Sequence, residues 1–228
     1  MVPASRIRWK PSWRIIPSRF PPIQLFERVA DPADLDAVME LESMTNPRLR
    51  DEVGDIRLVP PEERVSGPGS SIIMAAFTHL NPDGSRFTDG TYGVFYSAYD
   101  LETAIAETRY HREQFMRATN EARMELDMRV YLVDVDADLH DIRGRQDEYP
   151  IVYHDTNYAG GQQLATNPRA VGSNGIAYSS VRRRGGECVG IFRPNVLSNA
   201  RQERHLCYIW DGASVATIYE KRALTLSK

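Results

Sequence analysis

Three positions combine residue type and spacing in a way that can do chemistry: Arg86, Tyr96 and Glu107. All three lie in one stretch, "GSRFTDGTYGVFYSAYDLETAIAETRYH". A cation follows a Gly-Ser turn, where the backbone can approach a ligand closely. An aromatic ring follows in a run that reads as a strand, and a carboxylate in a run that reads as a helix. Arginine offers a planar fork suited to phosphate or carboxylate. A ring can stack on a cation. A carboxylate can stabilise positive charge as it develops. Taken singly, each residue also has an ordinary reading. Tyr96 fits a core, Arg86 a solvated turn, and Glu107 a surface ion pair with His111 or Arg112. Downstream, "GSNGIAYSSVRRRGGECVGIFRP" also puts small hydroxyl residues, Ser179 and Ser180, between a strand and a glycine turn.

The elements that must position these residues follow from periodicity. "SIIMAAF" reads as a strand, "NPDGS" as a turn and "TYGVFYSA" as a second strand with Tyr92, Val94 and Tyr96 on one face. "DLETAIAETRYHREQFMRATNEARM" reads as a long helix capped by Asp100. Its apolar stripe is Leu101, Ala104, Ile105, Thr108, Phe115 and Met116. Glu107 lies on the flank of that stripe, partly shielded and reachable from a cleft, with His111 one turn on. "RVYLVDVDA" places Tyr131, Val133 and Val135 on one face and Val130 and Leu132 on the other, a strand covered on both sides at its start. "YAGGQQLATNPRAVG" reads as a short helix interrupted near Pro168. "GIAYSSV", "ECVGIF", "HLCYIW" and "SVATIY" are further short β runs. One central helix among strands without βαβ alternation predicts an α+β fold with a mixed or largely antiparallel sheet.

The N-terminal region differs in texture. Residues 1 to about 30 are rich in Pro, Arg and Trp and read as an extended arm. A helix is predicted from Pro32, with Asp31 as N-cap and Leu35, Val38, Met39 and Leu41 as its apolar positions. A loop-rich connection follows. The expected division is residues 1–70 as arm and helix packing on the core, and 71–228 as the catalytic domain.

Several function classes are disfavoured. Net charge is −3 over 228 residues, so whole-protein charge steers no particular partner. Direct nucleic-acid binding is not expected. "GPGSSI" lacks the third glycine of a dinucleotide fingerprint, and no GK[ST] phosphate loop or GxSxG elbow is present. The five histidines and two cysteines do not fall at zinc-ligand spacing, so no metal is expected. No apolar run reaches the roughly 18 residues of a membrane span, and the N-terminus lacks a secretory apolar core. Cytoplasmic residence is the default expectation. Arg182, Arg183 and Arg184 read as a solvated turn or as a basic rim for phosphate or a protein partner.

Taken together, these motifs resemble the RES family, toxins of bacterial toxin–antitoxin modules. "GSRF" supplies Arg86, "GVFYSA" Tyr96, "ETAIAETRYH" Glu107 and "GIAYSSVR" Ser180. The resemblance runs from about Ile72 to Pro194. Phe87 stands for the usual Trp, Thr88-Asp89 for the usual Asn-Pro, and Ser179 where many members have Pro. The resemblance implies a fold similar to ADP-ribosyltransferase toxins and consumption of NAD⁺ as substrate. It assigns Glu107 to the oxocarbenium-like ribose, Arg86 to the diphosphate, Tyr96 to the nicotinamide and Ser180 to substrate or site orientation. ADP-ribose would pass to water or phosphate (glycohydrolase or phosphorylase). The alternatives are a mono-ADP-ribosyltransferase acting on a protein and an inactive binding module. The implied partner is an Xre-type DNA-binding antitoxin, in a homodimer or a toxin–antitoxin hetero-oligomer.

Overall fold

A computed structural model of the chain describes residues 2–18, 27, 54–222 and 224. The helix expected from Pro32 lies outside the described residues. Among those described, a seven-stranded, largely antiparallel sheet is accompanied by three α-helices. The strands are β1 (Ala4–Pro17), β2 (Phe95–Ala98), β3 (Met124–Asp141), β4 (Gly175–Ser179), β5 (Glu187–Ile191), β6 (Leu197–Trp210) and β7 (Val215–Lys221). The helices are α1 (Ser70–Thr78), α2 (Leu101–Ala118) and α3 (Ala159–Ala170).

The long β3 organises the sheet. One of its edges pairs with β1 from Ala4↔His140 to Pro17↔Met128. It also pairs antiparallel with β6, and then in parallel with β4 at His140↔Ile176. From β4 the sheet passes through β5 and β2 and returns to β1 at Trp13↔Ala98. The N-terminal arm is thus a full strand of the sheet. Alternation along β3 divides the core as its sequence implies. Tyr131, Val133, Val135, Ala137 and Leu139 enter one cluster with α1, Ile7 and Trp9. Met128 and Val130 enter the other with α2, Phe87, Tyr178, Tyr208 and Trp210. Burying a side chain such as Phe87, which is 0% exposed, contributes roughly 1.5–3 kcal/mol.

Two sequence expectations change. "SIIMAAF" is helix α1, not a strand. A short apolar run has no period that separates a buried helix from a buried strand. Here Ser70–Met74, Phe77 and Thr78 are all buried, so nearly every face of the helix is covered. Gly69 opens it at φ 81°, and a Cβ there would lie 2.0 Å from the Ala200 carbonyl oxygen. The second change is that "TYGVFYSA" contributes only Phe95–Ala98 to the sheet. Thr91 and Tyr92 bend instead, and Gly93 passes too close to the Phe77 backbone for any side chain.

Helix α2 begins where expected. The Asp100 carboxylate accepts from the Thr103 N–H at 2.7 Å and caps it. It ends at Ala118, short of the sequence expectation, because Asn120 turns to φ 51°. Thr103, Ala104 and Met116 face the core, and the Thr108 hydroxyl meets the Tyr208 hydroxyl at 2.8 Å. Helix α3 carries Pro168 within it.

Candidate active site

The Arg86 turn is built from three directions. The Ser85 N–H donates to the Thr88 carbonyl at 2.7 Å, closing the turn. The Tyr96 hydroxyl accepts from the Phe87 N–H at 3.0 Å and meets Ser85 Oγ at 2.7 Å. The Tyr92 hydroxyl donates to the Phe87 carbonyl at 2.5 Å. From α3, Gln162 Nε2 donates to the Ser85 and Thr88 carbonyls. Gly161 lets α3 approach, since a Cβ there would lie 2.2 Å from the Arg86 carbonyl oxygen. Phe87 anchors the turn under Tyr178, ring centroids 5.1 Å apart and edge-on. The turn therefore aims one side chain, Arg86, inward at 7% exposure. Its Nη1 donates to the carbonyls of Val152 (2.5 Å) and His154 (3.2 Å), and its guanidinium carbon lies 4.9 Å from the Tyr158 ring centroid.

Glu107 comes from α2 and is partly buried. Ser180, at the end of β4, donates from Oγ to Glu107 Oε1 at 2.6 Å. The same Oγ accepts from the N–H groups of Arg182 (3.0 Å) and Arg183 (3.1 Å), which fixes its rotamer. Ser179 points elsewhere, its Oγ accepting from the Gly144 N–H. Burial raises the Glu107 pKa; the Ser180 hydrogen bond, the charges of Arg86 and Arg182, and the Cys188 thiol at 3.9 Å oppose that rise. Burial, with the nearby Glu107 charge, also pushes the Cys188 thiol up.

Residues 61–211 match the model of the RES domain family. The chain belongs to the RES domain family. It is also similar to the uncharacterized protein y4oC of Sinorhizobium fredii (strain NBRC 101917 / NGR234), 32% identical over 208 residues, covering 91% of this chain and 86% of that one. It further aligns with a chain in the crystal structure of the M. tuberculosis MbcT–MbcA toxin–antitoxin complex, at TM-score 0.42 and 11% identity, covering 87% and 86% of the two chains.

In this RES domain Glu107 and Ser180 are in direct contact, and Arg86 is near enough to oppose the rise in the Glu107 pKa. Tyr96 is placed differently from the others. Its hydroxyl is fully engaged in holding the Arg86 turn, burial raises its pKa, and one face of its ring stacks on Phe87 with centroids 6.3 Å apart. His111 makes no hydrogen bond to Glu107. It is exposed at the rim, edge-on to Tyr110. Partial desolvation, then the charges of Arg182, Arg112 and Arg86, lower its pKa, so it is neutral near pH 7.

The three consecutive arginines diverge. Arg183 turns to Asp100, the cap of α2, and to Glu102 in its first turn, and Arg184 is exposed. Arg182 turns into the site, its guanidinium carbon 3.3 Å from the Tyr110 ring centroid. From sequence, Arg182 reads as part of a solvated turn or of a basic rim. No local pattern gives its orientation: the Arg183 N–H reaches the same serine hydroxyl, yet the Arg183 side chain turns away, and Arg182 is held by Tyr110 and the Asp155 carbonyl. Two concave regions, about 200 and 950 Å³, lie elsewhere. The first is lined by Tyr92, Arg169 and Arg193, the second by Arg6, Trp9, Tyr99 and Arg143. Neither includes Glu107. Among the described residues no His, Cys, Asp and Glu side chains cluster as a metal site.

Proposed function

We propose that this RES protein is a toxin of a toxin–antitoxin module that consumes NAD⁺, cleaving the bond between nicotinamide and ribose. The observation that carries the reading is the single carboxylate of Glu107, oriented by Ser180 and set among cationic groups. An ordinary glycoside needs a general acid for its leaving group, and hence a carboxylate pair. Nicotinamide is already a cationic pyridinium and departs neutral. As the C–N bond breaks, its electron pair goes to the ring nitrogen and positive charge passes to the ribose. One ionised carboxylate beside the ribose stabilises that charge. Arg86 binds the diphosphate. Tyr96 holds the turn that aims Arg86, and the ring face turned away from Phe87 takes the pyridinium, a contact worth ~0.5–2 kcal/mol. Water attacking the ribose carbon gives ADP-ribose and a proton. Inorganic phosphate gives the 1-phosphate of ADP-ribose.

The family resemblance further supports an Xre-type antitoxin as the neutralising partner. The test is incubation of the purified protein with NAD⁺, with and without phosphate, followed by chromatography of the products. Nicotinamide should appear together with ADP-ribose or its phosphate ester. Absence of nicotinamide under both conditions would overturn the reading. A mass increase of one ADP-ribose on an added protein would redirect it to protein modification.

A further inference from the structure

The Arg182 side chain is only 10% exposed, although it lies in a turn. Its head is fixed by stacking on Tyr110 and by donation from Nη2 to the Asp155 main-chain carbonyl. Its Nε is buried and meets no acceptor. The nearest carboxylate contact is long, 3.9 Å from Nη1 to Asp155 Oδ1, and the Asp155 side chain is 72% exposed. Arg86 has a parallel situation. Its Nη1 takes the carbonyls of Val152 and His154. The two guanidinium groups thus meet consecutive carbonyls, His154 and Asp155, of one segment. Both charges are felt at Glu107 and at His111. Two cations therefore share one partly buried carboxylate, and His111 adds no negative charge. Neutral carbonyls satisfy hydrogen bonds but leave the positive charge uncompensated. A guanidinium pair in that state favours a planar or tetrahedral oxyanion over a carbonyl.

We propose that Arg182 is the second cation, beside Arg86, of a phosphoryl-binding site in this cleft, with the carbonyls of residues 152–155 holding both guanidinium groups until phosphoryl oxygens replace them. The shared chemistry is a phosphoryl dianion. Its source is the diphosphate of the dinucleotide or free inorganic phosphate acting as acceptor. Only the choice of source rests on the function proposed above. Binding of a phosphoryl group does not depend on turnover. The Asp155 carboxylate, at the margin, competes with the ligand for Arg182.

The experiment is titration calorimetry on the full chain with inorganic pyrophosphate and, separately, inorganic phosphate, neither of which requires NAD⁺ cleavage. Wild type should bind at least one of them. Arg182→Gln should weaken that binding about tenfold or more, as expected for losing a charge-assisted fork, and Arg182→Lys should recover part of it. Asp155→Asn should tighten binding, because a competing anion is gone. A loss confined to pyrophosphate identifies the diphosphate, and a loss confined to phosphate identifies the acceptor. Should Arg182→Gln fail to fold, Asp155→Asn decides. Tighter binding supports the site; unchanged or weaker binding overturns it. A folded Arg182→Gln with wild-type affinity, or a wild type that binds neither anion, also overturns it. Normal nicotinamide release alongside unaltered anion binding in folded Arg182→Gln would sink this inference alone. Absent nicotinamide release with Arg182-dependent anion binding would sink only the NAD⁺ reading.

Discussion

Two groups of arginines in this molecule are held in opposite ways. Arg143, after β3, donates from Nε and Nη2 to both oxygens of Asp141 (2.9 and 2.7 Å) and from Nη1 to Glu187 (2.5 Å). One cation faces two carboxylates, and those hydrogen bonds raise its pKa and lower that of Asp141. Nothing about Arg143 invites a further anion. Arg86 and Arg182 are more deeply buried than Arg143, yet their polar contacts are mostly backbone carbonyls. Burying a charge without a counterion is costly, so such an arrangement persists where a ligand completes it or where strain is built into a site. The contrast separates an arginine that ties a sheet end to a loop from arginines poised to exchange partners.

The comparison can be broken by exchanging variants between the two groups. Arg86→Gln should lower kcat/KM for NAD⁺ by about 10–100-fold, mostly through KM, with little change in melting temperature. Arg143→Gln should do the reverse. It strands Asp141 and Glu187 and should cost about 1–3 kcal/mol of stability, read in a denaturant titration, while KM stays near wild type. A raised KM in Arg143→Gln or a normal KM in Arg86→Gln would collapse the distinction.

Ser180→Ala sharpens it on the anionic side. The serine hydroxyl opposes the burial-driven rise of the Glu107 pKa. Removing it moves that pKa further up, so the acid limb of kcat/KM should shift to higher pH. An unmoved limb would detach Ser180 from Glu107. The stability consequence has a definite sign. A carboxyl whose folded pKa is raised contributes stability below its unfolded pKa, and this is lost as pH rises through the folded pKa. His111, neutral near pH 7, should add no limb between pH 6 and 7.

Arg6→Ala should have the smallest effect. Arg6 pairs with Asp136 and Asp138 on the open face of β1 and β3, at 45% side-chain exposure. Such pairs are worth about 0–1 kcal/mol, and a change in turnover would mean that the β1 face belongs to the active site.

Much of this was legible beforehand, for reasons that differ by element. The Asp100 cap and the two-faced apolar pattern of β3 are local signals, and both appear as read. Helix α1 was misread because an apolar run buried on nearly all sides has no periodicity to detect. The contact between Glu107 and Ser180 joins residues 73 positions apart. Spacing alone cannot reveal such a contact; the family resemblance grouped the residues, and the geometry shows how they meet. The Tyr96 hydroxyl, holding the Arg86 turn, and Arg182, turned inward from a run of three arginines, depend on tertiary neighbours that no local pattern encodes. Residues 4–17 read as an arm because Pro and Arg obscure the alternation, yet they pair along most of β3.

The central claim is that Glu107 stabilises the charge that develops on ribose as nicotinamide leaves. The most direct measurement is nicotinamide release from NAD⁺ by wild type and by Glu107→Gln, both shown to be folded by circular dichroism. The amide keeps size and hydrogen bonding but cannot compensate positive charge, so turnover should fall at least ~10²-fold with KM little changed. Glu107→Gln turning over NAD⁺ at a rate near wild type would contradict the account.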